Sequence, residues 1–309
     1  MKSKTSKILV FLKDRKDLII RSIYLAVITS ISIFLLGLGS EPWLLIIENW
    51  PLFLILVTTT GTGLIIQARS FIAVATDRNS LPNLKTIIEI WSASSVVSVV
   101  APFFAGIATR TTLLIQNGMS VNSCLSTSFR QVWMGLEYAL LTASITLQAT
   151  NITHGPSLSL SMAFVWLSAM LLRTNSRKAE RFQHWPRRAK DAFSTLGKTI
   201  SIRAQVWFIL QILSMTATYY FAFNLMGAEL TTNEALALSA ITILASVLMF
   251  VPNGLGITDS LWFFIAINRG LTVETAAALA IMIRLSHLTS SLIIYLAGKL
   301  KLSSIKLDN

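Results

Sequence analysis

The chain has 309 residues, 53% hydrophobic and only 13% charged, with a mean hydropathy of +0.65. Soluble domains carry roughly 25% charged residues, so this composition excludes an ordinary soluble domain and describes an integral membrane protein. A net charge of +12 would point to nucleic acid in a soluble chain. Here no nucleic-acid-binding motif accompanies it, and cytoplasmic loops beside anionic lipid head groups account for the cations.

Taken in order, residues 1–17 form a basic segment with Lys2, Lys4, Lys7, Lys13, Arg15 and Lys16, expected to be cytoplasmic. Residues 18–39 are apolar apart from Arg21. The run is longer than the 7–15 residues of a signal-peptide core, and no A-x-A site follows, so an uncleaved first span is expected. A second span over 44–66 has Trp43 and Trp50 near the interface, and Pro51 kinks it or starts it. The connection 67–86 carries Arg69, Arg78 and Lys85. Apolar runs follow at 87–109 and 111–128, then a span at about 131–150 and another at 158–172. The stretch 173–203 is long, hydrophilic and rich in Lys and Arg, as expected of a cytoplasmic linker. Beyond it lie a span at 204–226, a short loop at 227–233, a run at 234–251, a short apolar piece at 260–267 and a last span at 276–299. Residues 304–309 form a tail.

Two interruptions stand out. One places Pro252, Gly254, Gly256 and Asp259 within ten residues between apolar runs; a weaker one, about 150 residues earlier, has Pro102, Gly106 and Arg110. In hydrocarbon a broken helix is tolerated only where it is buried in protein or lines a wet cavity. A carboxylate at that depth is a functional-site signal. Two such segments in corresponding places point to the binding site of a transporter.

Counting cations sets the topology. With the N-terminus inside, a full crossing at 87–109 would put the basic stretch 173–203 outside, against the positive-inside rule. A segment 87–118 that enters from the cytoplasm, turns at 102–106 and returns keeps it inside. In the same way 234–268, entering from outside and turning at 252–256, leaves Lys299, Lys301 and Lys306 inside. Residues 257–268 would extend only about 18 Å as helix, short of a core of about 30 Å. The expected fold is therefore all-α: a polytopic membrane domain over 18–303 with about six spans and two oppositely oriented re-entrant hairpins. They form inverted repeats at about 44–150 and 204–299, joined by the basic loop 173–203.

These motifs carry a resemblance. The chain resembles the lysylphosphatidylglycerol synthase transmembrane, or flippase-like, family over about residues 20–300. The family shows P-x-x-x-G-E-x-x-R in its first half; here Pro102, Gly106 and Arg110 keep the spacing, and Ile107 replaces the Glu. Its second half shows P-x-G-x-G-x-x-E; here Pro252, Gly254 and Gly256 are followed by Asp259. Arg284 matches an Arg of the family's last span. Of an E-R-x-x-D-like element only Arg130 remains, with Phe129 and Trp133 at the acidic positions. The resemblance implies movement of lipids, often anionic, aminoacylated or polyprenyl-linked, between leaflets of a bacterial or archaeal plasma (inner) membrane. It implies a membrane domain standing alone, without the synthase domain of some relatives; the cation count places both termini in the cytoplasm.

The residues themselves suggest roles. Pro252 breaks the helix ladder, Gly254 and Gly256 permit close backbone approach, and the helix start at about 257 favours an anion such as phosphate. Arg110 is placed to fork onto that phosphate. Asp259 has three candidate partners: Arg284, Arg110 or a cationic head group. The plainer alternative is that Arg110, Asp259 and Arg284 form an ion cluster that only locks the repeats. Glu137, in mid-span, is either proton-linked or a structural hydrogen-bonding group; His287, three residues past Arg284, is either a packed polar residue or a proton relay. Arg269 sits on an outer loop within reach of lipid phosphate, and the tryptophans belong mostly to the interface belt. Cys124 stands alone and His154, His184 and His287 are scattered, so no metal or cofactor is expected.

Three classes of function remain. The leading one is a lipid translocator, with anionic or polyprenyl-linked lipids as partners. The others are a membrane enzyme subunit and a non-transporting partner of envelope-pathway enzymes, each compatible with a homo-oligomer. No Ser/His/Asp set or nucleotide loop supports an enzyme.

Overall fold

A computed structural model describes residues 40–75, 77, 79–100, 105–148, 155–175, 194–196, 200–248 and 257–305. The first span expected at 18–39, most of the basic loop, and the two turn segments 101–104 and 249–256 lie outside the described residues. The described elements are all helical: α1 Glu41–Glu48, α2 Trp50–Val74, α3 Leu84–Val100, α4 Ala105–Gln116, α5 Val121–Thr146, α6 Gly155–Asn175, α7 Ile202–Leu225, α8 Thr232–Leu248, α9 Ile257–Asn268 and α10 Val273–Ile305. Four helical stretches are long and apolar enough to cross a membrane: Trp50–Val74, Pro156–Thr174, Ile202–Leu225 and Val273–Lys299.

Local chemistry sets the helix ends. Pro51 falls in the first turn of α2 and starts it, as its fixed φ allows. Ser120 caps α5 by accepting from the Ser123 N–H, and Ser201 caps α7 by accepting from the Ala204 N–H. Thr231 and Glu234 form a reciprocal capping box at the start of α8. Past α4 and α9 the chain turns at Gly118 (φ +96°) and Gly270 (φ +86°). In each case the next N–H reaches five residues back, Met119 to the Leu114 carbonyl and Leu271 to the Ala266 carbonyl, which is the Schellman closure. The second apolar run expected at 111–128 is therefore divided, ending α4 and beginning α5.

Packing runs α2 along α7, α3 along α10 and α5 along α8, with α6 resting on α5. Small residues allow the close approach of α2 and α7. A Cβ on Gly63 would lie 3.1 Å from Ser214 Oγ, which donates to the Thr59 carbonyl at 3.0 Å, while Thr218 Oγ1 donates to Thr59 Oγ1 at 3.0 Å. Thr60 Oγ1 donates across to Ser290 of α10 at 3.1 Å. Interhelical bonds of this kind contribute about 0.6 kcal/mol each.

Two apolar clusters sit at opposite ends of α2. One gathers Leu52 and Leu56 with Phe223, Leu238, Trp262, Ala266 and Leu279. It joins the starts of α2, α8 and α10 to the ends of α7 and α9. The other gathers Phe71 with Ile87, Trp91, Leu114, Met119 and Cys124. It joins the end of α2 to the start of α3, the end of α4 and the start of α5. The pairs α3/α4 and α8/α9 thus have their outer ends at opposite ends of the bundle. Their lengths match: 17 and 12 residues in the first pair, 17 and 12 in the second.

Candidate functional site

A polar cavity of about 200 Å³ lies at mid-length of α2, α7 and α10, bounded by the inner parts of α3, α4, α8 and α9. Its walls carry hydroxyls from α2 (Thr59, Thr60), α3 (Ser95, Ser98), α7 (Ser214, Thr218) and α8 (Thr242, Ser246). Several of these satisfy themselves on the carbonyl one turn back: Thr60 on Leu56, Ser98 on Ser94 and Thr242 on Leu238. Each hydroxyl oxygen keeps acceptor capacity.

Two of the arginines expected at the site face this cavity together. Arg110, from α4, lays its guanidinium over the Trp91 ring, 4.4 Å from the centroid, and its Nε donates to Ser94 Oγ at 3.3 Å. Among the described residues no carboxylate pairs with it. Arg284, from α10, is held differently. It forks onto Asp259, Nε to Oδ1 at 2.6 Å and Nη2 to Oδ2 at 2.7 Å, and Nη2 also donates to Thr258 Oγ1 at 2.9 Å. Its charge is therefore matched, while no described carboxylate matches that of Arg110. Of the partners open to Asp259, Arg284 is the one it takes. His287 lines the same cavity.

Gly106 places Arg110. A Cβ there would overlap Ser98 Oγ and come within 2.8 Å of the Ser94 carbonyl, so only glycine lets α4 lie this close to α3, with Arg110 one turn further along. Pro102, Pro252, Gly254 and Gly256 fall outside the described residues.

Glu137 lies elsewhere. Its carboxylate accepts from Trp133 Nε1 at 2.7 Å and pairs with Arg173 of α6 at 3.3 Å. Glu137 and Arg173 border a separate cavity of about 190 Å³ with Tyr138, Trp166 and Gln205. Arg173, counted among the cations of the basic loop, is thus the last-turn residue of α6 paired to α5. Arg269 also departs from expectation: it bridges to Glu234 and ties the loop after α9 to the start of α8. Trp91 and Trp262 are not belt residues. They are buried, at 0% and 3% exposure, and lie beneath Arg110 and Arg284. Sequence reading missed them because the stacking partners lie 19 and 22 residues away on other helices. The hydroxyl lining was missed too, since Ser and Thr are ordinary in apolar helices.

Comparisons with known proteins return no match: no family model, no curated protein and no solved structure.

Proposed function

We propose that this chain is a lipid translocator of the flippase-like kind. It would move a lipid with an anionic or phosphate-containing head group between leaflets, through the cavity between its two halves. The observation that carries this reading is Arg110: a guanidinium facing a hydroxyl-lined cavity at mid-length of membrane-length helices, with no carboxylate among the described residues to neutralise it. A half-buried cation kept without a counter-charge is costly, and an incoming phosphate supplies the missing charge through a forked pair.

The finer architecture belongs to the same proposal. It sets six spans and two re-entrant hairpins, in inverted repeats, in the plasma (inner) membrane of a bacterium or archaeon, with both termini cytoplasmic. The matched 17- and 12-residue helix pairs and their placement at opposite ends of α2 support this reading. A head group binds in the cavity while its acyl chains stay in the bilayer. Rocking of one half on the other along the α2–α7 contact exposes the cavity to each leaflet in turn.

The test is reconstitution into liposomes holding tail-labelled phosphatidylglycerol, or a polyprenyl phosphate, and measurement of the label reachable from outside. The wild-type protein raises that fraction above empty liposomes. Arg110→Ala slows it roughly 10- to 150-fold, the equivalent of one charge-assisted hydrogen bond of about 1.5–3 kcal/mol. Equal rates in wild type and variant would remove Arg110 from the mechanism.

A further inference from the structure

Resting on the translocator reading, the charge balance of the cavity narrows the head group. None of the described side chains that line it is acidic. Asp259, next in sequence to the lining residue Thr258, accepts from Arg284 with both oxygens. Once Arg110 has taken the lipid's phosphate, an ammonium on the same head group would find only neutral oxygens among the described walls to replace its water. An unpaired buried ammonium costs several kcal/mol. A hydroxylated head group meets the opposite situation. The walls offer the hydroxyl oxygens of Thr59, Ser95, Ser214, Thr218 and Ser246; Thr59, Ser214, Thr218 and Ser246 already donate to helix carbonyls, and each oxygen keeps acceptor capacity for the O–H of a polyol, beside a guanidinium that takes the phosphate. The volume of about 200 Å³ equals roughly seven liquid waters, enough for a phosphate carrying a small polyol.

We propose that the cavity selects a phosphodiester with a hydroxylated, amine-free head group and rejects head groups that carry an ammonium. Arg110 holds the phosphate, the hydroxyl walls read the polyol, and the Asp259–Arg284 pair withholds the Asp259 carboxylate from an amine.

The experiment compares four probes in the same proteoliposomes: tail-labelled phosphatidylglycerol, its lysyl ester, phosphatidylethanolamine, and water-soluble glycerol phosphate offered outside. Phosphatidylglycerol crosses at least about tenfold faster than either amine-bearing lipid, a difference of about 1.4 kcal/mol. Unlabelled lysyl ester in excess does not slow it, and glycerol phosphate is not taken up. Ser95→Asp, which puts a carboxylate in the cavity wall, narrows or reverses the preference. Equal rates for polyol and amine lipids, or competition by the lysyl ester, overturn the selectivity and leave the translocator standing. Uptake of glycerol phosphate without lipid movement overturns the lipid source. No movement of any probe overturns the translocator reading and this proposal with it.

Discussion

Gly106→Ala tests how the first helix pair positions the cavity. An added Cβ would overlap Ser98 Oγ, lie 2.9 Å from Ser98 Cβ and 2.8 Å from the Ser94 carbonyl oxygen. The Ser98 hydroxyl can rotate away, but the carbonyl belongs to the α3 backbone. Since ordinary contact begins at 3.4 Å, α3 and α4 must separate by about 0.6 Å at this point, and overpacking of this kind costs about 1–3 kcal/mol. Gly135→Ala is the matched control: it lies within α5, and nothing lies within 4 Å of its added Cβ, so helix propensity alone makes it neutral or stabilising by about 0.5–1 kcal/mol. The sole cysteine provides the assay. Cys124 is fully buried in the cluster that holds the outer ends of α3 and α4, so labelling by a maleimide dye reports opening of that cluster. Gly106→Ala should accelerate labelling roughly 5- to 150-fold, the population change that 1–3 kcal/mol produces, and should slow lipid movement through displacement of Arg110. Gly135→Ala should label at the wild-type rate or below. Equal labelling rates in the two variants would refute the close α3–α4 contact.

Further outcomes follow from the ion pairs. Glu137→Gln keeps an acceptor for Trp133 Nε1 but loses the pair to Arg173; it should lower stability by about 1.5–3 kcal/mol and leave the pH profile of lipid movement unchanged, whereas an altered profile would make Glu137 a proton carrier. Asp259→Asn and Arg284→Gln each strand one charge; in thermal unfolding the double variant should be more stable than the sum of the single losses implies, by about 1–3 kcal/mol, and strict additivity would contradict the forked pair. Glu234→Ala removes the capping box at the start of α8, costing about 1 kcal/mol. The lost contact to Arg269, whose side chain is 37% exposed, adds little, so its melting temperature should respond only weakly to salt.

What the sequence made legible was mostly punctuation and charge. Pro102, and Pro252 with its two glycines, fall in the segments 101–104 and 249–256 that lie between the described helices α3 and α4 and between α8 and α9, and breaks of that composition are readable without a structure. Boundaries within apolar runs were harder. The span expected at 44–66 is in fact a short α1 and then α2, which continues to Val74, since Gln67, Arg69 and Ser70 look like loop residues until α5 is known to pack there. Gln131 of α5 donates to the Gln67 carbonyl and to Ser70 Oγ. The same limit applies to the site. Asp259 and Arg284 could be named as candidate partners because each is a rare charge in an apolar segment. The partnership of Glu137 with Arg173 could not, because Arg173 reads as the first cation of a loop until α6 is seen to extend through it. Nor could the stacking of Arg110 on Trp91, which exists only once α4 folds back along α3.

Cysteine blocking decides whether lipid crosses through the cavity. In a Cys124→Ala background, Ser246→Cys places a thiol on the cavity wall, and Leu160→Cys places one on the exposed face of α6, where Leu160 is 68% exposed. Both proteins are reconstituted, treated with a bulky thiol reagent, and assayed for movement of labelled phosphatidylglycerol. Passage through the cavity requires that modification at residue 246 stops movement and that modification at residue 160 leaves it intact. Full movement with residue 246 completely modified would contradict it.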